Sequence, residues 1–368
     1  MDNTEFEIFL VATPGLEAPL AAEAAALGWT PVTQPGGVTI QGGWPDVWRA
    51  NLMLRGATRV LARIGGFRAM HLAQLDKRAR KFPWGELLRP DLPIKVDSVC
   101  RASKIYHAGA ATQRIERAIT EELGAPLADD APITVKARIE DDLVTFSLDT
   151  TGESLHKRGH KEAVAKAPMR ETMAAMFLAQ MGYDGRQPVL DPMCGSGTFV
   201  LEAAEIALGL APGRSRGFAF QQLANYNEAA FARMKAEVTP RAAPVQLFGS
   251  DRDPGAIRMS LANAARAGVA EITRFEACQI SDLQPPEGPP GIVIVNPPYG
   301  ARIGGKGPLF GLHAQMGEVF RSRFKGWRVG IVTSEAGLAK ATGLPWQAPG
   351  PIVAHGGLKV RLWQTKPL

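Results

Sequence analysis

The sequence predicts an α/β protein in two parts, a small α+β module followed by a doubly wound, mostly parallel sheet. Three observations predict it. From Pro188 onward, apolar strands and amphipathic helices alternate. Before Asp149, shorter strands and helices end in a hairpin. The length, 368 residues with 45% hydrophobic side chains, is enough for two or three separately cored domains. That composition excludes disorder and a disulfide scaffold. The three cysteines, Cys100, Cys194 and Cys278, form no CxxC pair and point to a reducing compartment without a metal centre. The acidic start Met1-Asp2-Asn3-Thr4-Glu5 and the lack of a run of about 18 apolar residues predict a soluble, cytoplasmic chain with no membrane partner, taken as a monomer.

In order along the chain, Glu5 to Thr13 reads as a strand, Pro14-Gly15 as a turn and Leu16 to Leu27 as an alanine-rich helix. A strand follows at Val38 to Gln41, then a helix from Trp44 to Ala50 continuing to Arg59. Next come a strand at Leu92–Ser98, a helix from Ala108 to Leu123, and strands Ile133–Glu140 and Leu143–Asp149 joined by a tight Asp141-Asp142 turn. A polar link, residues 150 to 161, precedes an apolar helix opened by Pro168. Its methionines Met169, Met173, Met176 and Met181 recur at core spacing. The second part alternates strand Val189–Leu190, helix Thr198–Leu208, strand Val245–Ser250, helix Pro254–Ala267, strands Ile272–Glu276 and Gly291–Asn296, helix Leu309–Arg323 and strand Arg328–Thr333. Strands Pro351–His355 and Lys359–Gln364 close it. Ligands of such a sheet bind at the carboxyl ends of its strands.

The net charge of +6, from 42 Lys+Arg against 36 Asp+Glu, is unevenly placed. Residues 61–120 hold twelve cations against the five acids Asp76, Glu86, Asp91, Asp97 and Glu116, a local surplus of +7. Lys77, Arg78, Arg80 and Lys81 lie next to Phe82 and Trp84, and this interleaving of charge and aromatic rings points to a polyanion.

Three motifs carry chemistry. Val189-Leu190-Asp191-Pro192-Met193-Cys194-Gly195-Ser196-Gly197-Thr198 runs from a strand end through an acid and two glycines into a helix, where a ligand can approach the backbone. Val200 stands where a dinucleotide fingerprint needs its third glycine. An acid before the glycines suits a cationic ligand better than a phosphate, and S-adenosylmethionine has both an ammonium and a sulfonium. Next, Gly249-Ser250-Asp251-Arg252-Asp253-Pro254 places Asp251 at a strand's end, where it can accept ribose hydroxyls. Asp253 before Pro254 reads as a helix cap. The most specific motif is Ile292-Val293-Ile294-Val295-Asn296-Pro297-Pro298-Tyr299-Gly300. Two prolines stiffen a loop that holds a carboxamide, a carbonyl and an aromatic face around one point, an arrangement suited to a planar substrate with an exocyclic amine. Cys194 lacks the activating partner of a nucleophile.

Asp191 to Thr198 together with Asn296-Pro297-Pro298-Tyr299 resembles the methyltransferase domain of the THUMP-containing RNA guanine-N2 methyltransferases of the bacterial large-subunit rRNA type. The resemblance extends through Gly152 to His160, Ala211-Pro212-Gly213 and Gly356 to Leu362, covering residues 90 to 368 well and the first 90 more loosely. It implies a ferredoxin-like part (1–65), a THUMP RNA-binding domain (66–155) and a Rossmann-like class I methyltransferase domain (156–368, with a link and leading helix over 156–187). It implies S-adenosylmethionine as cofactor, held by Asp191, Met193, Cys194, Gly195, Gly197, Thr198, Asp251, Arg252, Ile280 and Asn296, with either Gln279 or Asp282 meeting the adenine amine. Asn296, Pro297 and Tyr299 would hold the target base. Lys77, Arg78, Arg80, Lys81, Lys104, Arg114, Lys157 and Arg158 would hold RNA, with rRNA ahead of tRNA. N6-adenine methylation, glutamine methylation on a protein and non-catalytic RNA binding stay open as rivals.

Overall fold

The computed structural model describes residues 5–162, 169–299 and 306–368; the proline expected to open the apolar helix, Pro168, and Gly300 lie outside them. The first part contains β1 (Phe6–Val11), α1 (Glu17–Ala26), β2 (Val32–Gln34), β3 (Gly37–Gly42), α2 (Trp44–Met53), β4 (Arg59–Arg68), α3 (Leu72–Arg80), β5 (Ile94–Arg101), α4 (Ala108–Leu123), β6 (Ile133–Glu140) and β7 (Leu143–Asp149). These strands form one seven-stranded sheet in the order β2-β3-β1-β4-β7-β6-β5. All pairs are antiparallel except β5 with β6.

The helix expected to run to Arg59 stops at Met53 instead, and the chain turns extended at Leu54. A Cβ on Gly56 would collide with the Met176 side chain, so the turn brings the backbone directly against the second part. Arg59 then opens β4, which the sequence reading passed over. This strand crosses positions 65 and 66 with a bulge between Arg63 and Gly65, and pairs with β1 on one side and β7 on the other, so a single sheet runs through both regions expected before residue 155. The Asp141-Asp142 turn is as expected, with both residues at positive φ, as a two-residue hairpin requires.

The second part contains α5 (Glu171–Gln180), β8 (Val189–Asp191), α6 (Thr198–Leu208), α7 (Glu228–Glu237), β9 (Leu247–Asp251), α8 (Pro254–Ala267), β10 (Thr273–Ala277), β11 (Ile292–Val295), α9 (Lys306–Arg323), β12 (Arg328–Thr333), α10 (Ala336–Ala341), β13 (Val353–His355) and β14 (Leu358–Gln364). Its sheet order is β10-β9-β8-β11-β12-β14-β13. The five strands β8 to β12 are parallel, and β14 is inserted antiparallel beside β12. From β8 the chain first winds outward to β9 and β10, then returns to β11 on β8's other side. The reversal opens a crevice at the carboxyl ends of β8 and β11, the place where open α/β sheets bind ligands. The methionines of α5 are buried as expected. No described helix is long and apolar enough to cross a membrane.

Candidate active site

Asp191 ends β8 and is buried; its Oδ1 accepts the Met193 N–H at 3.1 Å. Burial, with a further contribution from nearby Asp251, pushes its carboxyl up to about 8. Asp251, at the end of β9, accepts the Gly195 N–H at 3.0 Å on one oxygen and the Asp253 N–H at 3.0 Å on the other. It therefore holds the glycine loop in place. From the far side, α8 supports the same loop: Ser260 Oγ donates to the Gly195 carbonyl at 3.0 Å and Asn263 Nδ2 to that of Ser196 at 3.1 Å. Gly197 takes φ +85° as the N-cap of α6, a conformation that disfavours any side chain. Burial and then Asp191 drive the Cys194 thiol well above its ordinary range, which removes it as a nucleophile. Asp253 caps α8 as expected, accepting the Gly255 N–H at 2.8 Å.

Asn296 follows β11. Its Oδ1 is buried and has no hydrogen-bond donor among the described residues. An unpaired buried amide oxygen costs free energy on the order of 1–3 kcal/mol, so it marks a place where a donor from outside would be bound favourably.

These parts line one cavity of about 1100 Å³. Of the residues read from the sequence, Asp191, Met193, Cys194, Gly195, Thr198, Asn296, Pro297 and Tyr299 face it, together with Lys157 and Arg158. Gly197, Asp251, Arg252, Gln279, Ile280 and Asp282 do not. Gln279 and Asp282 are exposed beyond β10, joined by the Asp282 N–H to the Gln279 carbonyl, and Ile280 is buried in a separate apolar cluster. Two walls were missed as chemistry. One is the supposed link, through His156 and Lys161, and the other is the β13–β14 turn at His355 and Gly356. Lys161, almost fully buried, bonds Glu171 at 2.8 Å and Thr198 Oγ1 at 2.7 Å, tying the link to the first residue of α6. The clue was the run of charged and histidine residues in 153–161, too dense for a passive tether.

The RNA-binding expectation needs two corrections. Arg158 is not available to a polyanion: it is buried, with its guanidinium on Glu202 at 3.0 Å and on the carbonyls of Leu155 and Arg55. Arg80 is held by Asp76, Glu121 and Glu122, so its charge is compensated within the fold. The aromatic rings beside it serve the core as well. Trp84 is buried with its Nε1 donating to the Ala79 carbonyl, and Phe82 packs on it and on Phe146. Lys77, Arg78, Lys81, Lys104 and Arg114 are exposed without an ion pair among the described residues, whereas exposed Lys157 pairs with Glu153. Among the described residues no cluster of three or more His, Cys, Asp or Glu is placed to hold a metal.

A parallel sheet reversing at β8, an acid-and-glycine loop on one side of the crevice and Asn-Pro-Pro-Tyr on the other define the Rossmann-like methyltransferase class. The chain belongs to the RMKL-like methyltransferase domain family, which matches residues 158–347, just over half of it, and residues 7–61 match the RlmL ferredoxin-like domain. It is 36% identical over 93% of its length to a ribosomal RNA large subunit methyltransferase K/L of Syntrophotalea carbinolica, but covers only 51% of that protein. The chain thus spans about half the length of the first curated relatives it matches. A putative RNA methyltransferase of Synechocystis, slr0064, is 31% identical, with 96% of this chain and 95% of the relative covered. Among solved structures, SMU.472, a putative methyltransferase complexed with SAH, superposes with a TM-score of 0.88 at 28% identity, covering 100% of this chain and 99% of that one.

Proposed function

We propose that the chain methylates the exocyclic N2 amine of a guanine in RNA, using S-adenosylmethionine, and that the RNA is large-subunit rRNA. The observation that carries the reading is the buried, unpaired Oδ1 of Asn296 beside Pro297 and Tyr299 in the cavity. An amine nitrogen offers two hydrogens, one to Asn296 Oδ1 and one to the Pro297 carbonyl. Accepting both draws the nitrogen toward tetrahedral geometry and localises its lone pair. Tyr299 supplies a face for the ring. S-adenosylmethionine, when bound, supplies an electrophilic methyl group on a sulfonium. Asp191 fits its ammonium, because a buried carboxyl with a raised pKa is relieved by a cation. Preplaced acceptors and alignment of the amine lower the barrier, and the surplus proton leaves to water after transfer. The rRNA assignment is supported by the printed names of the K/L relatives, and RNA as substrate by that of the Synechocystis protein.

Nucleoside mass spectrometry of rRNA and tRNA from cells with and without the gene tests the reading. Loss of one N2-methylguanosine from large-subunit rRNA is expected. Unchanged N2-methylguanosine with lost N6-methyladenosine would assign the site to adenine. In the purified protein, Asn296→Ala should reduce turnover by at least about a hundredfold, the scale of losing a preplaced polar group, while cofactor affinity measured by calorimetry stays within about threefold. Collapse of cofactor binding with surviving methylation at high cofactor would overturn the assignment of that loop.

A further inference from the structure

Three acids line the methyl-transfer cavity, Glu153, Glu171 and Asp191. Asp191 fits the cofactor's ammonium, and Glu153 is exposed and paired with Lys157. Glu171, the first residue of α5, differs from both: its side chain is only 11% exposed. Lys161 Nζ lies 2.8 Å from its Oε1 and is itself fixed on Thr198 Oγ1 at 2.7 Å. The second oxygen, Oε2, has no partner among the described residues.

The sheet places this acid opposite Asn296. Successive side chains of a strand point to opposite faces. Val189 of β8 and Ile292 and Ile294 of β11 join the apolar cluster that includes α5 and α6, whereas Leu190, Val293 and Val295 join that of α9 on the other face. Asp191 and Asn296, each next in the alternation, therefore stand on the face beneath α5 and α6. On that face α6 packs over β8, β9 and β10. The far end of α5 instead reaches β12, where the Met181 carbonyl accepts from the Arg328 guanidinium and a Cβ on Gly330 would collide with the Met181 sulfur. Glu171 thus overhangs the Asn296 half of the crevice, while Thr198 stands over the Asp191 half.

We propose that Glu171 reads the target base, its Oε2 accepting the N1–H of a guanine whose N2 amine lies on Asn296. The inference rests on the guanine-N2 reading above and supplies a reason for choosing guanine. Asn296 Oδ1 and the Pro297 carbonyl hold any exocyclic amine and do not tell one base from another. In guanine the ring nitrogen beside the amine-bearing carbon, N1, carries a hydrogen. In adenine the N1 beside the N6-bearing carbon is bare, and its lone pair would face the carboxylate. A charge-assisted hydrogen bond at a buried carboxylate discriminates strongly, because the wrong base leaves that carboxylate unpaired.

The test uses the full chain and large-subunit rRNA assembled by ligation, with guanine or 2-aminopurine at the position whose N2-methylguanosine is lost in cells without the gene. 2-Aminopurine keeps the N2 amine but has a bare N1. Wild-type kcat/KM should favour guanine by about a hundredfold. Glu171→Gln should shrink that preference to below about tenfold, since an amide can turn its N–H toward a bare N1. Both substrates are measured in one preparation, so neither a partly unfolded variant nor the O6 missing from the analogue alters the comparison between proteins. Should Glu171→Gln not fold, Lys161→Met with Glu171→Gln, which removes both charges of the buried pair, carries the same comparison. A wild type without the preference, an unchanged preference in the variant, or a collapse of S-adenosylmethionine affinity with the preference intact would overturn base reading by Glu171 while leaving the guanine-N2 reading standing. A wild type that leaves the guanine substrate unmethylated would overturn both.

Discussion

A carboxylic acid buried beside a second carboxylate keeps its proton to unusually high pH, and Asp191 beside Asp251 is such a group. Two consequences follow from a pKa near 8. The ion pair needs the ionised carboxylate and the ligand's protonated ammonium, so affinity for S-adenosylmethionine should rise by up to about tenfold per pH unit towards 8 and fall again above it, where the α-amino group of the ligand loses its proton. Asp191→Asn should bind more weakly and lose that slope, which calorimetry across pH 6 to about 9 would show; a wild-type slope in the variant would remove Asp191 from the ammonium site. Stability of the unliganded protein carries the opposite sign. The folded pKa lies above the unfolded value of 3.8, so the folded state holds an extra proton between the two, and this contribution is lost as pH rises through 8. Asp191→Asn lacks that loss, and its melting temperature should gain on wild type as pH climbs from about 5 to 9. That an acid stood at this position was legible from the strand-to-glycine pattern. That it is buried beside Asp251 was not, because the strand holding Asp251 lies more than fifty residues away in the chain and only the sheet brings the two together.

At the scale of an element, α6 joins the halves of the molecule. Its first residue, Thr198, belongs to the cavity, and one and two turns further on Glu202 and Glu205 receive Arg158 from the supposed link and Arg55 from the loop after α2. His160 and Arg214 complete the cluster on Glu205 at 2.8 and 3.0 Å. Removing one partner of a buried pair strands the other, so Arg158→Ala should cost about 3–5 kcal/mol in denaturant unfolding, while the double variant Arg158→Met with Glu202→Leu should recover most of it. Equal losses in the two would show that the packing of the arginine stem, and not the charge, holds the link. Element boundaries were readable where local signals are strong: α4, α6 and α8 and strands β6, β7 and β12 begin and end where the sequence pattern places them. β2, β4, α3, α7 and α10 were missed. β4 has Gly65-Gly66 in its middle, which reads as a break until pairing on both sides is known. In α3 only Leu75 and Ala79 are buried, and its cations conceal so narrow an apolar stripe.

For the whole molecule, the surplus of residues 61–120 divides into cations the fold pairs and cations it leaves to solvent. Replacing Lys77, Arg78 and Lys81 together by Gln should flatten the salt dependence of single-stranded RNA affinity by about 2 in slope, whereas Arg89→Gln, whose charge already sits on Asp91, should change it little. Equal effects would mean that ion pairing within the fold does not select the binding surface. By itself the sequence determined the α/β class, the order of the two parts, and the acid, the glycines and the Asn-Pro-Pro-Tyr run at strand ends. Each of these is written in a few adjacent residues through periodicity, proline and glycine. Only the tertiary structure decided that Asn296 Oδ1 is unpaired, that the link is a wall of the cavity, and that Tyr106, and not Phe82 or Trp84, presents its ring to water. Burial and ion pairing depend on partners far apart in the chain, as Arg55 is from Glu202 and Phe82 from Phe146, and no short pattern records them.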